Sequence, residues 1–194
     1  MTSSSIKIIG RFVINNYAKD FSEISESLNN NPSVKSKVLN LVQSEPIAGE
    51  VITEDYRLNN FREILLNFFN LKNDFNTAVT ETEKRLSRNE SMYSNDNRVF
   101  AKGWSERLVR TQISRFYNQA VLESIIEGGS DECFIEHSAN EQDSSQCSQQ
   151  LAGTIQSANT MLERLKRSYG NGEWSKDLKI PDHPYCKHTF TPLI

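Results

Sequence analysis

Six side chains could ligate a soft metal or form a thiolate–imidazole pair: Cys133, His137, Cys147, His183, Cys186 and His188. All lie in the last third of the chain; residues 1–132 contain neither cysteine nor histidine. Half of the set falls within HPYCKHTF, residues 183–190, a stretch with a proline at 184 and flanked by prolines at 181 and 192. Zinc takes about four ligands and favours thiolate and imidazole. Two residues separate His183 from Cys186 and one separates Cys186 from His188, so one turn could present two or three ligands. Cys147 completes a candidate metal set of Cys147, His183, Cys186 and His188, with the Cys133/His137 pair as the other source. No C-x2-C knuckle is present, and a buried thiol among hydrogen-bonded histidines would leave the same trace in sequence. Zinc and plain core therefore both stand as readings.

A nucleophilic site is the rival chemistry. Cys186 and His188 alternate and would share one face of a strand, yet no helix start or cleft marks an oxyanion donor beside them. The chain also lacks a phosphate-binding glycine loop, a paired-carboxylate signature and an HExxH motif. No catalytic residue is assigned, and the expectation is a protein that is not an enzyme.

Composition narrows the setting. The 194 residues carry 22 basic and 25 acidic side chains, a net charge of −3, which gives no reason for general nucleic-acid binding. Mean hydropathy is −0.58, polar for a globular domain. No apolar run approaches the ~18 residues that span a bilayer, so no membrane is expected. The opening MTSSSIKIIGRFVINNYAKDF has neither a charged leader nor a small-residue cleavage site, and a secretory signal is not expected. Three cysteines without a dense framework suit a reducing compartment.

The elements that must hold the Cys/His set divide into a helical region, 1–98, and a smaller mixed unit, 99–194. Val13, Tyr17, Phe21, Ile24 and Leu28 recur at helical spacing and predict an amphipathic helix ending near NNNPS. Ser33 is the predicted cap of a second helix that stops before Pro46. A long helix is expected from about Glu54 to Arg88, capped by Thr53, with a near-heptad seam through Leu58, Phe61, Leu65, Phe68, Phe75, Val79 and Leu86. That seam packs in a bundle or docks another subunit. RNESMYSNDNR, residues 88–98, reads as a hinge.

A further helix, about Val99 to Ile126, would bury Val109, Ile113, Phe116, Tyr117, Ala120, Val121 and Ile125 and leave Arg107, Arg110 and Arg115 off that stripe. DECFIEH suits a short strand with Cys133 and Ile135 on one face. Six acidic and no basic residues between Glu127 and Asp143 read as a solvated loop. QCSQQLAGTIQ predicts a short helix or turn closed by Gly153 and then a strand. NTMLERLKRSYGNG predicts a helix. HTFTPLI predicts a last edge strand, because Pro192 has no amide to donate. Arg164, Lys166 and Arg167 form a basic cluster, either plain helix surface or a phosphate contact. The fold class expected is α+β, mostly helical.

Three segments together resemble a family. ERLVRTQISRFYNQAVLESIIEGG resembles the "RTE…A-YN-G-R-E…G" helix of phage Mu F-like minor head proteins. DSSQCSQQLAG resembles that family's segment of aspartate, hydroxyl residues and cysteine before a Leu-x-Gly turn. IPDHPYCKHTFTPL resembles its closing "P-x-HPNCRH/C-x-x-P" segment. The order agrees, over roughly residues 105–194. Gln112 departs from the family's usual glutamate, and only Cys147 stands where many members have a cysteine pair.

The resemblance implies that Arg110, Asp143, Cys147, Gly153, His183, Pro184, Cys186 and His188 hold strands and turns together and do not catalyse. It also implies a structural minor head protein of a tailed bacteriophage. Such a protein would work near the portal, in the virion after assembly in the host cytoplasm. Its partners would be portal or other capsid proteins, packaged DNA, or further copies of itself. A connector beneath the portal and a small metal-dependent nuclease or toxin-like enzyme are the alternatives.

Overall fold

Eleven consecutive residues of one helix, 112–122, are buried, so that helix has no solvent face along its middle. The structure, a computed structural model, describes residues 16–141, 144–170, 172–173 and 177–193. In chain order the helices are α1 (Ile24–Asn30), α2 (Pro32–Ser44), α3 (Asp55–Phe69), α4 (Phe75–Arg85), α5 (Trp104–Glu127), α6 (Gln146–Gln150) and α7 (Ala158–Leu165). The strands are β1 (Glu132–Ile135), β2 (Ile155–Ser157) and β3 (Phe190–Pro192). The fold is α+β and mostly helical, as the sequence implied.

Helix α5 is the axis. Helices α2, α4 and α7 and strand β3 pack around it, and one apolar core runs from Ala18 to Phe190 across the 98/99 division drawn from sequence. The predicted stripe of α5 is buried throughout, and so are Ser114, Arg115, Asn118 and Gln119 on its other faces. The sheet has the order β2-β1-β3 with both pairs antiparallel, which leaves β3 at an edge as Pro192 requires.

Several local readings need correction. The predicted long helix is two helices, α3 and α4, because the chain turns at Leu71 with φ 63° and restarts where the Asp74 side chain accepts the Thr77 amide at 2.7 Å. Thr53 is not the cap of α3; it ends a 3-10 turn, Glu50–Ile52, and Glu54 occupies the cap position. Asn31 rather than Ser33 caps α2, accepting the Val34 amide, with Pro32 at the first helical position where its missing N–H costs nothing. The first helix begins later than its apolar spacing implied, after a 3-10 turn, Phe21–Glu23, capped by Asp20; Val13 lies outside the described residues. Helix α5 begins at Trp104 behind Gly103, whose φ of 74° is left-handed. Arg115, placed off the stripe and read as exposed, is fully buried.

Polar groups inside the fold tie its first described residues to its last. The Tyr117 hydroxyl accepts the Ala18 amide at 2.7 Å and lies 2.9 Å from Ser27 Oγ. Burial pushes that phenol up to about 12. Phe21 N donates to Lys187 O at 2.9 Å, Thr189 Oγ1 to Ala18 O at 2.6 Å, and Phe190 N to Asn118 Oδ1 at 2.9 Å. Asp20 accepts the hydroxyl of Ser138 and, at 2.9 Å, the Ser22 amide.

Asp20 titrates accordingly. Burial alone would raise its carboxyl, but the hydrogen bonds from Ser138 and Ser22 hold it below the ordinary value. A carboxyl depressed by folding stabilises fully above its unfolded value of about 3.9 and loses that contribution as pH falls through its folded value. Asp20→Asn is expected to lower stability by about 1 kcal/mol at pH 7, a figure discounted for the solvent that still reaches the group. The difference between the two proteins in urea denaturation should shrink as pH falls below the unfolded carboxyl's value of about 3.9.

Candidate metal centre

The spacing of HPYCKH acquires its geometry from one turn. Cys186 N donates to His183 O at 3.0 Å, closing a turn with Pro184 in its second position, where the ring's fixed φ suits it. That turn aims His183 and Cys186 at a second segment, the start of α6. There Ser145 caps the helix by accepting the Ser148 amide at 3.2 Å, and Cys147 faces inward, fully buried. Gly153, φ 73°, then reverses the chain into β2 while its amide donates to Ile135 O at 2.8 Å. The left-handed backbone, not crowding, is what requires glycine here, since an added Cβ would meet nothing within 4 Å.

Four donor atoms converge. Cys147 Sγ lies 3.8 Å from Cys186 Sγ, 3.5 Å from His183 Nε2 and 3.3 Å from Glu141 Oε1, and His183 Nε2 lies 2.8 Å from the same carboxylate oxygen. The donors of Glu141, Cys147, His183 and Cys186 all lie within 4.8 Å of one another, and together they could hold a metal ion. Both cysteines are fully buried and the Glu141 side chain is 3% exposed; His183, at 33%, is the open side.

Of the four sequence candidates, Cys147, His183 and Cys186 belong to this group and His188 stands behind it. The His188 ring is fully buried, with Nδ1 2.9 Å from Glu136 O and Nε2 2.9 Å from Ser148 Oγ and 3.4 Å from Glu141 Oε2. Glu141 takes the fourth place. Nothing in the acidic run 127–143 distinguished it, and the reading of that run as solvated loop fails there. Its second oxygen accepts the Lys187 amide at 2.6 Å, so the carboxylate also pins the segment that carries Cys186 and His188. Its position six residues before Cys147 was the only available signal.

The electrostatics follow from four polar groups in a small buried volume. Hydrogen bonding to Cys186 first, then to His183, His188 and Ser145, drives the Cys147 thiol far below its ordinary value against the cost of burial. His183 rises to about 10, through Cys147 first and Glu141 second. Burial and the neighbouring Cys147 push Cys186 the other way, well above an ordinary thiol. Without an ion, the cluster is thus a Cys147 thiolate facing a His183 imidazolium. It is not a relay of the nucleophile–base–orienter type, because Glu141 and Cys147 share the same imidazole nitrogen, leaving no second nitrogen between them.

The remaining candidates sit elsewhere. Cys133 is buried in β1, its thiol donating to Gln156 O at 3.4 Å and raised to about 12 by burial, while His137 is exposed. Arg110 spans three segments: its guanidinium lies 4.6 Å from the Phe21 ring, 4.7 Å from Phe75 and 5.8 Å from Tyr185. Asp143 lies outside the described residues. The basic cluster points to three different acceptors. Arg164 donates to Leu178 O, Lys166 pairs with Glu123 at 3.0 Å, and Arg167 pairs with Asp177 at 3.2 Å. No described helix is long and apolar enough to cross a membrane.

No protein-family model, curated protein or solved structure matches this chain. In metal-free protein at pH 7, ultraviolet thiolate absorbance should report one ionised cysteine of the three. Cys147→Ser should abolish it, and His183→Ala should return the titration toward the ordinary thiol range; three un-ionised thiols at pH 7 would contradict the assignment.

Proposed function

We propose that this chain is a zinc-stapled, non-enzymatic structural protein, a minor component of a tailed-phage head that acts near the portal during assembly and genome packaging or ejection. The observation that carries the reading is a convergence. The three segments with the Mu F-like resemblance are brought together: α5 holds β3 through Asn118, and the turn at 183–186 and the start of α6 meet at the metal centre.

Zinc suits the donors. Bond lengths of about 2.3 Å to sulfur, 2.0–2.1 Å to nitrogen and 2.0–2.2 Å to oxygen place tetrahedral neighbours about 3.8 Å apart for two sulfurs, 3.6 Å for sulfur and nitrogen, and about 3.5–3.7 Å for sulfur and oxygen. The separations of 3.8, 3.5 and 3.3 Å around Cys147 match that frame. The 2.8 Å His183–Glu141 contact would open by about half an ångström once an ion replaced the proton between them. Two thiolates, one imidazole and one carboxylate fill the four positions of a structural zinc, and a catalytic zinc would keep one open. The ion's contribution is cross-linking: Glu141, the start of α6 and the 183–186 turn become one unit.

Two measurements test the two halves of the proposal. Protein purified without chelator should carry one equivalent of zinc. Removing it, or making Cys186→Ser, should lower the melting temperature by ~10 °C or more. Less than a tenth of an equivalent, with melting indifferent to chelator, would return the cluster to plain core. Co-expression with the portal protein of the same phage should give a complex that co-sediments with the portal ring. Its copy number per ring would separate a low-copy head protein from a symmetric connector, and a chain that ignores the ring would remove the head assignment.

A further inference from the structure

Two of the three thiols face one another. Cys147 Sγ and Cys186 Sγ are 3.8 Å apart, both residues are fully buried, and 39 positions of chain separate them. The third thiol is committed elsewhere, to Gln156 O on β2. A disulfide needs its sulfurs about 2.05 Å apart, so this pair must close by a little under 2 Å. The cluster has one open side, at His183, while both sulfurs lie behind it. A cleft of about 370 Å³ lined by Asn140, Glu141, Ser145, His183, Tyr185 and Lys187 leads to the partly exposed face of His183.

We propose that Cys147 and Cys186 form a disulfide when a hydroperoxide reaches this cleft, so that the same two segments remain cross-linked after the metal is lost. The replacement of one staple by the other rests on the zinc reading; the disulfide itself needs only the sulfur pair. With hydrogen peroxide, the Cys147 sulfur attacks one peroxide oxygen, the O–O bond breaks, water leaves, and Cys147 becomes a sulfenic acid. The Cys186 sulfur then attacks that sulfur and expels the hydroxyl as a second water. The two sulfurs lose two electrons and the peroxide gains them, while the proton held by His183 and the Cys186 thiol proton end in water. With an ion bound, the sulfurs start as thiolates, solvent supplies the two protons, and the ion departs as the aqueous cation.

The consequence is a fold that keeps one cross-link in either redox environment. A disulfide closing a loop of this length restricts the unfolded chain between the start of α6 and the 183–186 turn. The zinc and the disulfide join the same two segments, so little of the surrounding structure has to move.

The test uses the full chain in two preparations, reduced metal-free and zinc-loaded, each treated with a small excess of hydrogen peroxide, alkylated and analysed by peptide mass spectrometry. The expected product has lost two hydrogens, links the Cys147 and Cys186 peptides, and leaves Cys133 open to alkylation after unfolding. It should melt about 5 °C or more above the reduced metal-free protein. The zinc-loaded sample should release its ion in step with the linkage. In Cys186→Ser, the Cys147 sulfenic acid should persist and be trapped by dimedone. Absence of the link, pairing that involves Cys133, or a linked protein that melts no higher than the reduced metal-free one would overturn the proposal. A chain that binds no zinc but forms the link would remove the metal reading and keep the disulfide. A chain that binds zinc but never links would do the reverse.

Discussion

Burying α5 on every side is the constraint from which the rest of the structure follows. A helix with a solvent face can leave polar side chains in water, but this one carries Arg115, Asn118 and Gln119 where no water reaches them. Each finds at least one hydrogen-bond partner inside the protein, where an unpaired buried polar group costs about 1–3 kcal/mol, although Arg115 Nε and Nη2 and Gln119 Oε1 make none. Arg115 donates to Pro46 O at 2.9 Å and Tyr169 O at 3.1 Å, joining the end of α2 to the turn after α7. Burial lowers its guanidinium to about 10, still high enough to remain charged at neutral pH. Gln119 donates to Glu45 and Glu123. These demands fix which segments lie against the axis.

The Glu/Cys/His cluster inherits its position from the same demand. Asn118 accepts the Phe190 amide and so registers β3, which pairs with β1 through Cys133↔Pro192, Phe134↔Thr191 and Ile135↔Phe190. With β3 fixed, the segment just before it, which carries His183, Cys186 and His188, has little freedom. On the other side of β1, the β2 pairing and the Gly153 reversal hold the start of α6 at a set distance. The two halves of the donor set meet because both are tethered to one central strand.

The sequence carried much of this, for reasons that can be named. Turn formers and apolar alternation marked the short strands, the Gly153 reversal and the edge position of β3. The apolar spacing also found the core stripe of α5. What it could not find were features decided by tertiary contact. Arg115 looks like any exposed helical arginine until the carbonyls of Pro46 and Tyr169 are brought to it. The break between α3 and α4 lies in a run, Asn70 to Asp74, whose neighbours keep helical spacing on both sides, so periodicity bridged it. Glu141 was invisible as a donor because carboxylates in an acidic run are alike in sequence, and only a fold that buries one makes it different.

Glu141 also explains why His188 is so close yet stands outside the four. With a dication bound, two thiolates and one carboxylate would leave a net charge of −1, which is costly to bury without a counter-group. His188 stands where a counter-group is needed, its Nε2 3.4 Å from the outer oxygen of Glu141, and although burial opposes a charge there, Cys147 first and that carboxylate second raise its proton affinity. Replacing Glu141 by His188 in the donor set would neutralise the centre but leave a buried carboxylate with neither ion nor imidazolium beside it. The Lys187 amide would then hold a charge that nothing else balanced. The arrangement with glutamate inside and histidine behind keeps an imidazole beside the carboxylate and the thiols of the site. With an ion bound, all four donors would be spent on cross-linking Glu141, the start of α6 and the 183–186 turn.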